Sequence, residues 1–218
     1  MNVFDKAALL AAFIASTTAL SLTARETASG APGTGVADKA LKTPPPVCCS
    51  WKSEPLVTNA AWTVKPPTGP EVQAVPTVFA YQGWAVQMPG SHWIGPDMYS
   101  SASSRPVGHY IYSYHFCLCS VPAGYWAAPS LSMKVLSDNE FTATLNGTAI
   151  PNGSSPWSPT FQVPTLVTSV PPAAFHPGDN LLRIDVYNSA GMTGLDVLGS
   201  ITGYFWSVPN ASCPGQPS

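Results

Sequence analysis

The densest run of reactive side chains is His115-Phe116-Cys117-Leu118-Cys119. On an extended strand His115, Cys117 and Cys119 fall on one face. Cys48 and Cys49 are neighbours, and Cys213 stands near the C-terminus, giving five cysteines in all. Three readings compete for them: disulfides, a metal site shared with His115, and buried free thiols. An exported chain oxidises its cysteines, which favours the first. Adjacent cysteines are poorly placed to bridge each other. The economical arrangement therefore ties the 48–49 segment to the 117–119 strand. An odd number leaves one thiol over.

Seven tryptophans, Trp51, Trp62, Trp84, Trp93, Trp126, Trp157 and Trp206, offer a second kind of chemistry. A sugar ring stacks its apolar C–H face on an aromatic plane and sends its hydroxyls to polar neighbours. Trp126 and Trp157 lie in loop-like contexts, AGYWAAPS and SSPWSPT, and are the foremost ligand-binding candidates, joined by Trp93 and the amide of Asn146. Against this stands the tendency of large aromatics in a sandwich to fill its core. Asp97, Asp138, Asp179 and Asp196 sit near turns. Asp138 and Asp179 are candidate calcium ligands, but no DxDxDG run is present and turn-capping by the side chain is the favoured role for each of the four. No other cofactor is expected.

Enzymatic signatures are absent from the sequence: there is no GxSxG, HExxH or Gly-rich phosphate loop, and His92, His109, His115 and His176 have no evident nucleophile beside them. No catalytic residue is assigned, and the expectation is a non-enzymatic protein. Asn146-Gly147-Thr148, Asn152-Gly153-Ser154 and Asn210-Ala211-Ser212 are glycosylation sequons that double as turn sequences.

The elements that must position these residues are strands. Tyr110, Tyr112 and Tyr114 alternate with Ile111 and Ser113; Leu131, Met133 and Val135 with Ser132 and Lys134; Leu182, Ile184 and Val186 with Arg183, Asp185 and Tyr187. Period two sends one set of side chains to each face. Further strands are expected over 71–79, 82–88, 160–168 and 195–206. Turn-forming runs such as SSRPVG, SDN, PNGSS, HPGDN and SAGMTG separate them. Within 138–147, DNEFTATLNG, Phe141, Ala143 and Leu145 share the core face, and Asn146-Gly147 is a hairpin signal. Many short strands so punctuated predict an all-β, antiparallel β-sandwich of jelly-roll type.

Composition fits an extracellular β protein. Charged residues make up 9% of the 218, against roughly 25% in a typical domain, with 24 prolines and 17 glycines. A formal net charge of −2 without a basic stripe argues against nucleic acid as a partner. Residues 1–24 read as a signal peptide: a short polar start with Lys6, an apolar run over 7–22 shorter than the roughly 20 residues a span needs, and Ala24 at the cleavage point. After cleavage no membrane segment is expected. Residues 25–46 are a Pro/Ala/Gly-rich arm, 47–208 the sandwich domain and 209–218 a tail.

The stretches DNEFTATLNG, PGDNLLRIDVYNSAGMTGL at 177–195 and SITGYF together resemble galactose-binding-like jelly-roll β-sandwiches of bacterial secreted and cell-surface proteins. The resemblance runs through Asp138, Asn139, Asn146, Gly147, Gly178, Asn180 and Asn188, and upstream through Trp93, Ile94, Gly108, Tyr110, Tyr112 and Phe116. It covers about residues 90–205. Residues 47–89 and the cysteines depart from the pattern. It implies a secreted sandwich that binds carbohydrate, a glycan or other cell-surface polymer. The alternative is a structural subunit of an extracellular filament or surface assembly, joined to copies of itself through the N-terminal arm or the cysteines.

Overall fold

The computed structural model describes residues 49–78, 82–120, 127–155 and 160–206. In chain order the strands are β1 (Cys49–Val57), β2 (Thr63–Lys65), β3 (Val72–Gln73), β4 (Val75–Pro76), β5 (Ile94–Gly95), β6 (Gly108–Leu118), β7 (Ser130–Asp138), β8 (Glu140–Leu145), β9 (Thr148–Ser154), β10 (Thr165–Val167), β11 (Gly178–Asn188) and β12 (Gly194–Trp206). A single 3₁₀ turn, Pro172–Ala174, is the only helical element among the described residues. The strands form two sheets. The first runs β10-β7-β12-β5-β4, with β1 also pairing β12; the second runs β3-β2-β6-β11-β8-β9. Every pairing is antiparallel, so the expected all-β sandwich is what the chain forms.

The core follows the alternation. Leu131, Met133, Val135, Leu195, Val197 and Ile201 from the first sheet meet Tyr110, Tyr112, Phe141, Ala143, Leu145, Leu182, Ile184 and Val186 from the second. Each fully buried large side chain contributes on the order of 1.5–3 kcal/mol. The β8–β9 hairpin closes where expected: Asn146 has φ 51° and Gly147 φ 80°, both in the left-handed region that a tight hairpin turn needs.

Three expected strands are shortened or missing. The 71–79 stretch holds two short strands, β3 and β4; 160–168 holds only β10; and 82–88 forms none. Pro70, Pro76 and Pro164 lack the N–H that a ladder requires. Residues 82–88 are held by side chains instead. Trp84, Met88 and Trp93 pack with Leu136 in a second apolar cluster on the outward side of the first sheet. Gly194 makes room for this: a Cβ there would lie 2.7 Å from the Trp84 ring. In the other direction, β1 is a strand that the alternation does not predict. Its outward residues Trp51, Ser53 and Pro55 and inward residues Lys52 and Glu54 carry little hydrophobic contrast.

Cys49 is bonded to Cys119, with Cα atoms 6.1 Å apart, as the 48–49 to 117–119 pairing predicts. Cys117 is disulfide-bonded as well. Cys48 and Cys213 lie outside the described residues. Replacing both Cys49 and Cys119 by Ala is expected to lower unfolding free energy by about 2–4 kcal/mol, measured by urea denaturation under non-reducing conditions.

Asn146 joins the hairpin to the start of β11. Its amide donates to the carbonyl of Ala174 and to Asn180 Oδ1, both at 2.8 Å, and its Oδ1 accepts from Leu181 N–H at 2.8 Å. Asn180, fully buried, in turn donates to the carbonyls of His176 and Gly178 and accepts from His176 N–H. Asn146→Ala strands several of these groups and is expected to cost about 2–3 kcal/mol; an unchanged urea midpoint would contradict that role.

Candidate functional site

Period-two alternation in β6, β11 and β8 leaves a second row of side chains on the outer face of the second sheet. The register sets Tyr187 opposite His109 on one side and Glu140 on the other. The next outward row is Ile111, Asp185, Thr142 and Ser154. His109, Glu140, Thr142, Ser154, Asp185 and Tyr187 line an open groove of about 390 Å³, with Ser155 at its far wall.

The β8–β9 pairing shifts register between Thr142 and Thr144. Gly153 permits the bend, because a Cβ there would approach Ile150 Cβ to 2.8 Å and Ala143 Cβ to 3.1 Å. Ser155 is fixed by a two-way link with Phe141: its hydroxyl accepts Phe141 N–H at 2.8 Å, and its N–H donates to the Phe141 carbonyl at 3.1 Å. The bulge thus lifts Ser154 and Ser155 into a wall while Phe141 stays in the core.

Within the groove, His109 Nδ1 lies 2.9 Å from Asp185 Oδ1, and the His109 and Tyr187 rings are 5.1 Å apart between centroids. Tyr187 is among the large apolar side chains exposed to solvent. The arrangement combines an accessible ring, two carboxylates, an imidazole and several hydroxyls. Such a set can stack a C–H face and exchange hydrogen bonds with a ring of hydroxyls. It does not form a nucleophile–base pair. Ser154 and Ser155 stand three strands from His109, on the order of 14 Å at the interstrand spacing, and Ser155 is already engaged by Phe141.

The residues singled out from sequence distribute differently. Trp126 and Trp157 lie outside the described residues. Trp93 is a correction: it is 2% exposed, its indole N–H donates to the Ala85 carbonyl at 3.1 Å, and its ring lies 4.2 Å from that of Trp84, so it presents no face to a ligand. Asn146 is corrected likewise, since its whole amide is spent on the internal bonds described above.

The two calcium candidates each have protein partners. Asp138 is buried, with Oδ2 accepting Trp84 Nε1–H at 2.8 Å and Oδ1 accepting the Asn139 amide at 2.6 Å. Asp179 faces outward against His115 Nδ1 at 2.9 Å. No three His, Cys, Asp or Glu side chains converge among the described residues. Asp97 caps its turn through Tyr99 N–H and binds Arg105 Nη2 at 2.7 Å. Asp196 does not cap a turn. It is buried within β12, accepting Met88 N–H at 2.9 Å and lying 3.1 Å from Thr58 Oγ1.

The grouping of His109, Asp185, Tyr187 and Glu140 is not among the sequence expectations. Its signal is the complement of the core pattern: each member occupies the outward parity of a strand whose inward parity is evident. Bringing them together requires the pairing register, which the sequence alone does not supply.

No protein-family model matches the chain, and no curated protein matches it. Among solved structures, the chain is similar to the crystal structure of an FMN-binding beta-glucuronidase from Facaelibacterium prausnitzii L2-6, at 17% identity and a TM-score of 0.39, over 69% of this chain and 23% of that one. The chain thus spans under a quarter of that enzyme's length.

Burial pushes the Asp138 carboxyl up from 3.8 to about 6, against the opposing hydrogen bond from Trp84. Burial raises Asp196 too, opposed by hydrogen bonds from Ser91, Met88 and Thr58 and by the charge of His92. For Asp138 the folded state holds its proton more tightly than the unfolded one. The stability this contributes is fully present below about pH 3.8 and is lost as pH rises through about 6, in total about 3 kcal/mol. Asp138→Asn is therefore expected to gain stability relative to the parent as pH rises from about 4 to about 7, read from urea midpoints across that range. A constant difference between the two would exclude a raised carboxyl at this position.

Proposed function

We propose that this chain is an exported, non-enzymatic β-sandwich that binds carbohydrate at a cell or matrix surface, through the groove on the outer face of its second sheet. The observation that carries this reading is the exposed Tyr187 ring set between Glu140 and the His109–Asp185 pair. Hydroxyls of Thr142, Ser154 and Ser155 complete the lining. The low charge of the chain and the reading of residues 1–24 as a leader support an extracellular setting.

The alternative, a subunit of an extracellular assembly, draws on the edge strand β1, which pairs only with β12 among the described residues. That edge carries two features that discourage strand addition. Pro55 has no N–H to give, and Lys52 and Glu54 point inward as an ion pair. Carbohydrate binding is the better-supported reading.

The test is retention of the purified chain on gels containing soluble polysaccharides, followed by calorimetry with those that retard it. Tyr187→Ala is expected to weaken binding at least tenfold, about 1.4 kcal/mol, with an unchanged melting temperature. Absence of retention on every polymer would overturn the proposal, as would retention indifferent to Tyr187. Release of reducing ends, abolished by Glu140→Gln or Asp185→Asn, would convert the reading to that of a hydrolase.

A further inference from the structure

The groove is one end of a longer feature. A second histidine–aspartate pair, His115 Nδ1 with Asp179 Oδ2 at 2.9 Å, lies on the same outer face. It repeats the first in register. His109 stands opposite Tyr187 while its partner Asp185 stands opposite Ile111; His115 stands opposite Leu181 while its partner Asp179 stands opposite Cys117. In both pairs the histidine of β6 reaches diagonally, in the same direction, to an aspartate of β11. Both histidines are well exposed, with side chains 63% and 49% accessible for His109 and His115, so each pair is open to a ligand lying on this face.

The interval from His109 to His115, matched by that from Asp179 to Asp185, spans about 20 Å at the rise of an antiparallel strand. Between the pairs the outward positions are Ile111 and the buried Ser113 on β6, Leu181 and Arg183 on β11, and Thr142 and Thr144 on β8. This floor mixes aliphatic and hydroxyl side chains and has no aromatic ring standing across it. Carboxylates and cations are both represented along it, Asp179, Asp185 and Glu140 against Arg183 and Lys65, so no single sign of charge dominates.

We propose that the ligand is a polysaccharide chain of uncharged sugars lying along β6 and β11, held near its two ends by the two His–Asp pairs. A span of about 20 Å exceeds a monosaccharide or a disaccharide, so the site takes an oligosaccharide of several units. Each pair offers a carboxylate acceptor and an imidazole to vicinal hydroxyls, and the groove beside Tyr187 receives the sugar at the His109 end. Contacts at both ends of one chain act together, so the second end adds affinity without the cost of a separate association. This inference rests on the carbohydrate-binding reading.

The test uses the full chain and oligosaccharides of increasing length cut from whichever uncharged polysaccharide retains it, titrated by calorimetry. Affinity is expected to rise at least tenfold from disaccharide to the length that reaches both pairs, then level off. His115→Ala and Asp179→Asn are each expected to weaken the longest ligand several-fold and leave disaccharide affinity unchanged, whereas Tyr187→Ala weakens both. The two substitutions are on exposed or half-exposed side chains, so loss of one variant to misfolding leaves the other to decide. Equal affinity for short and long ligands, or a long ligand indifferent to whichever of the two variants folds, overturns the extended site while leaving the groove in place. Failure of every polysaccharide to bind overturns the functional reading and this inference with it.

Discussion

The antiparallel pairing of β6 with β11 governs both faces of the second sheet. Over Gly108–Leu118 and Gly178–Asn188 the two strands run paired without interruption. The inward parity delivers Tyr110, Tyr112, Phe116, Leu182, Ile184 and Val186 to the core, and the outward parity delivers His109, His115, Asp179, Asp185 and Tyr187 to solvent. A slip of one residue would exchange the two sets and place imidazoles and carboxylates among the apolar side chains. The cost of burying such groups without partners, several kcal/mol apiece, makes the register secure. The same energy that holds the core therefore aligns the outward pairs.

Buried amides and carboxylates settle what the apolar layers leave open. Asn180 and Asn146 fix the turn between β8 and β9 to the entry of β11, and Asn188, fully buried, donates to the carbonyl of Pro106 at 3.1 Å at the strand's other end. Asp138 and Asp196 hold the 82–93 segment through Trp84 N–H and Met88 N–H. These polar groups, wholly or half withdrawn from water, are held by specific partners, which selects one arrangement of the loops over others of similar apolar burial. Asp138, Asn146, Asn180 and Asn188, which the sequence analysis singled out, occupy these structural positions.

The sandwich was legible because its strands announce themselves by parity. Tyr110 and Tyr112, Leu131 to Val135 and Leu182 to Val186 each expose a period of two, and Asn146-Gly147 marks a turn by its tolerance of positive φ. Strands governed by other forces were not legible. β1 survives on its long ladder with β12 and the Cys49–Cys119 bond although its side chains show little hydrophobic contrast. Residues 82–88 look like a strand but are anchored by Trp84 and Met88 into a cluster of their own. The groove was hidden for a third reason. Its members come from strands distant in sequence, and polar residues on an outward face carry no periodic signal beyond the absence of apolar ones.

The bond between Cys49 and Cys119 sits where the chain enters the sandwich, at the first residue of β1 and just past the end of β6. Tension applied from the N-terminal side reaches Cys49 and crosses a covalent link into Cys119 before it can bear on the ladder from Cys49–Trp206 to Val57–Leu198. Those hydrogen bonds would otherwise break in succession, like a zipper opened from its end. With the sulfurs joined, a pull on that side is shared with β6 in the second sheet, so the load is borne by both layers at once.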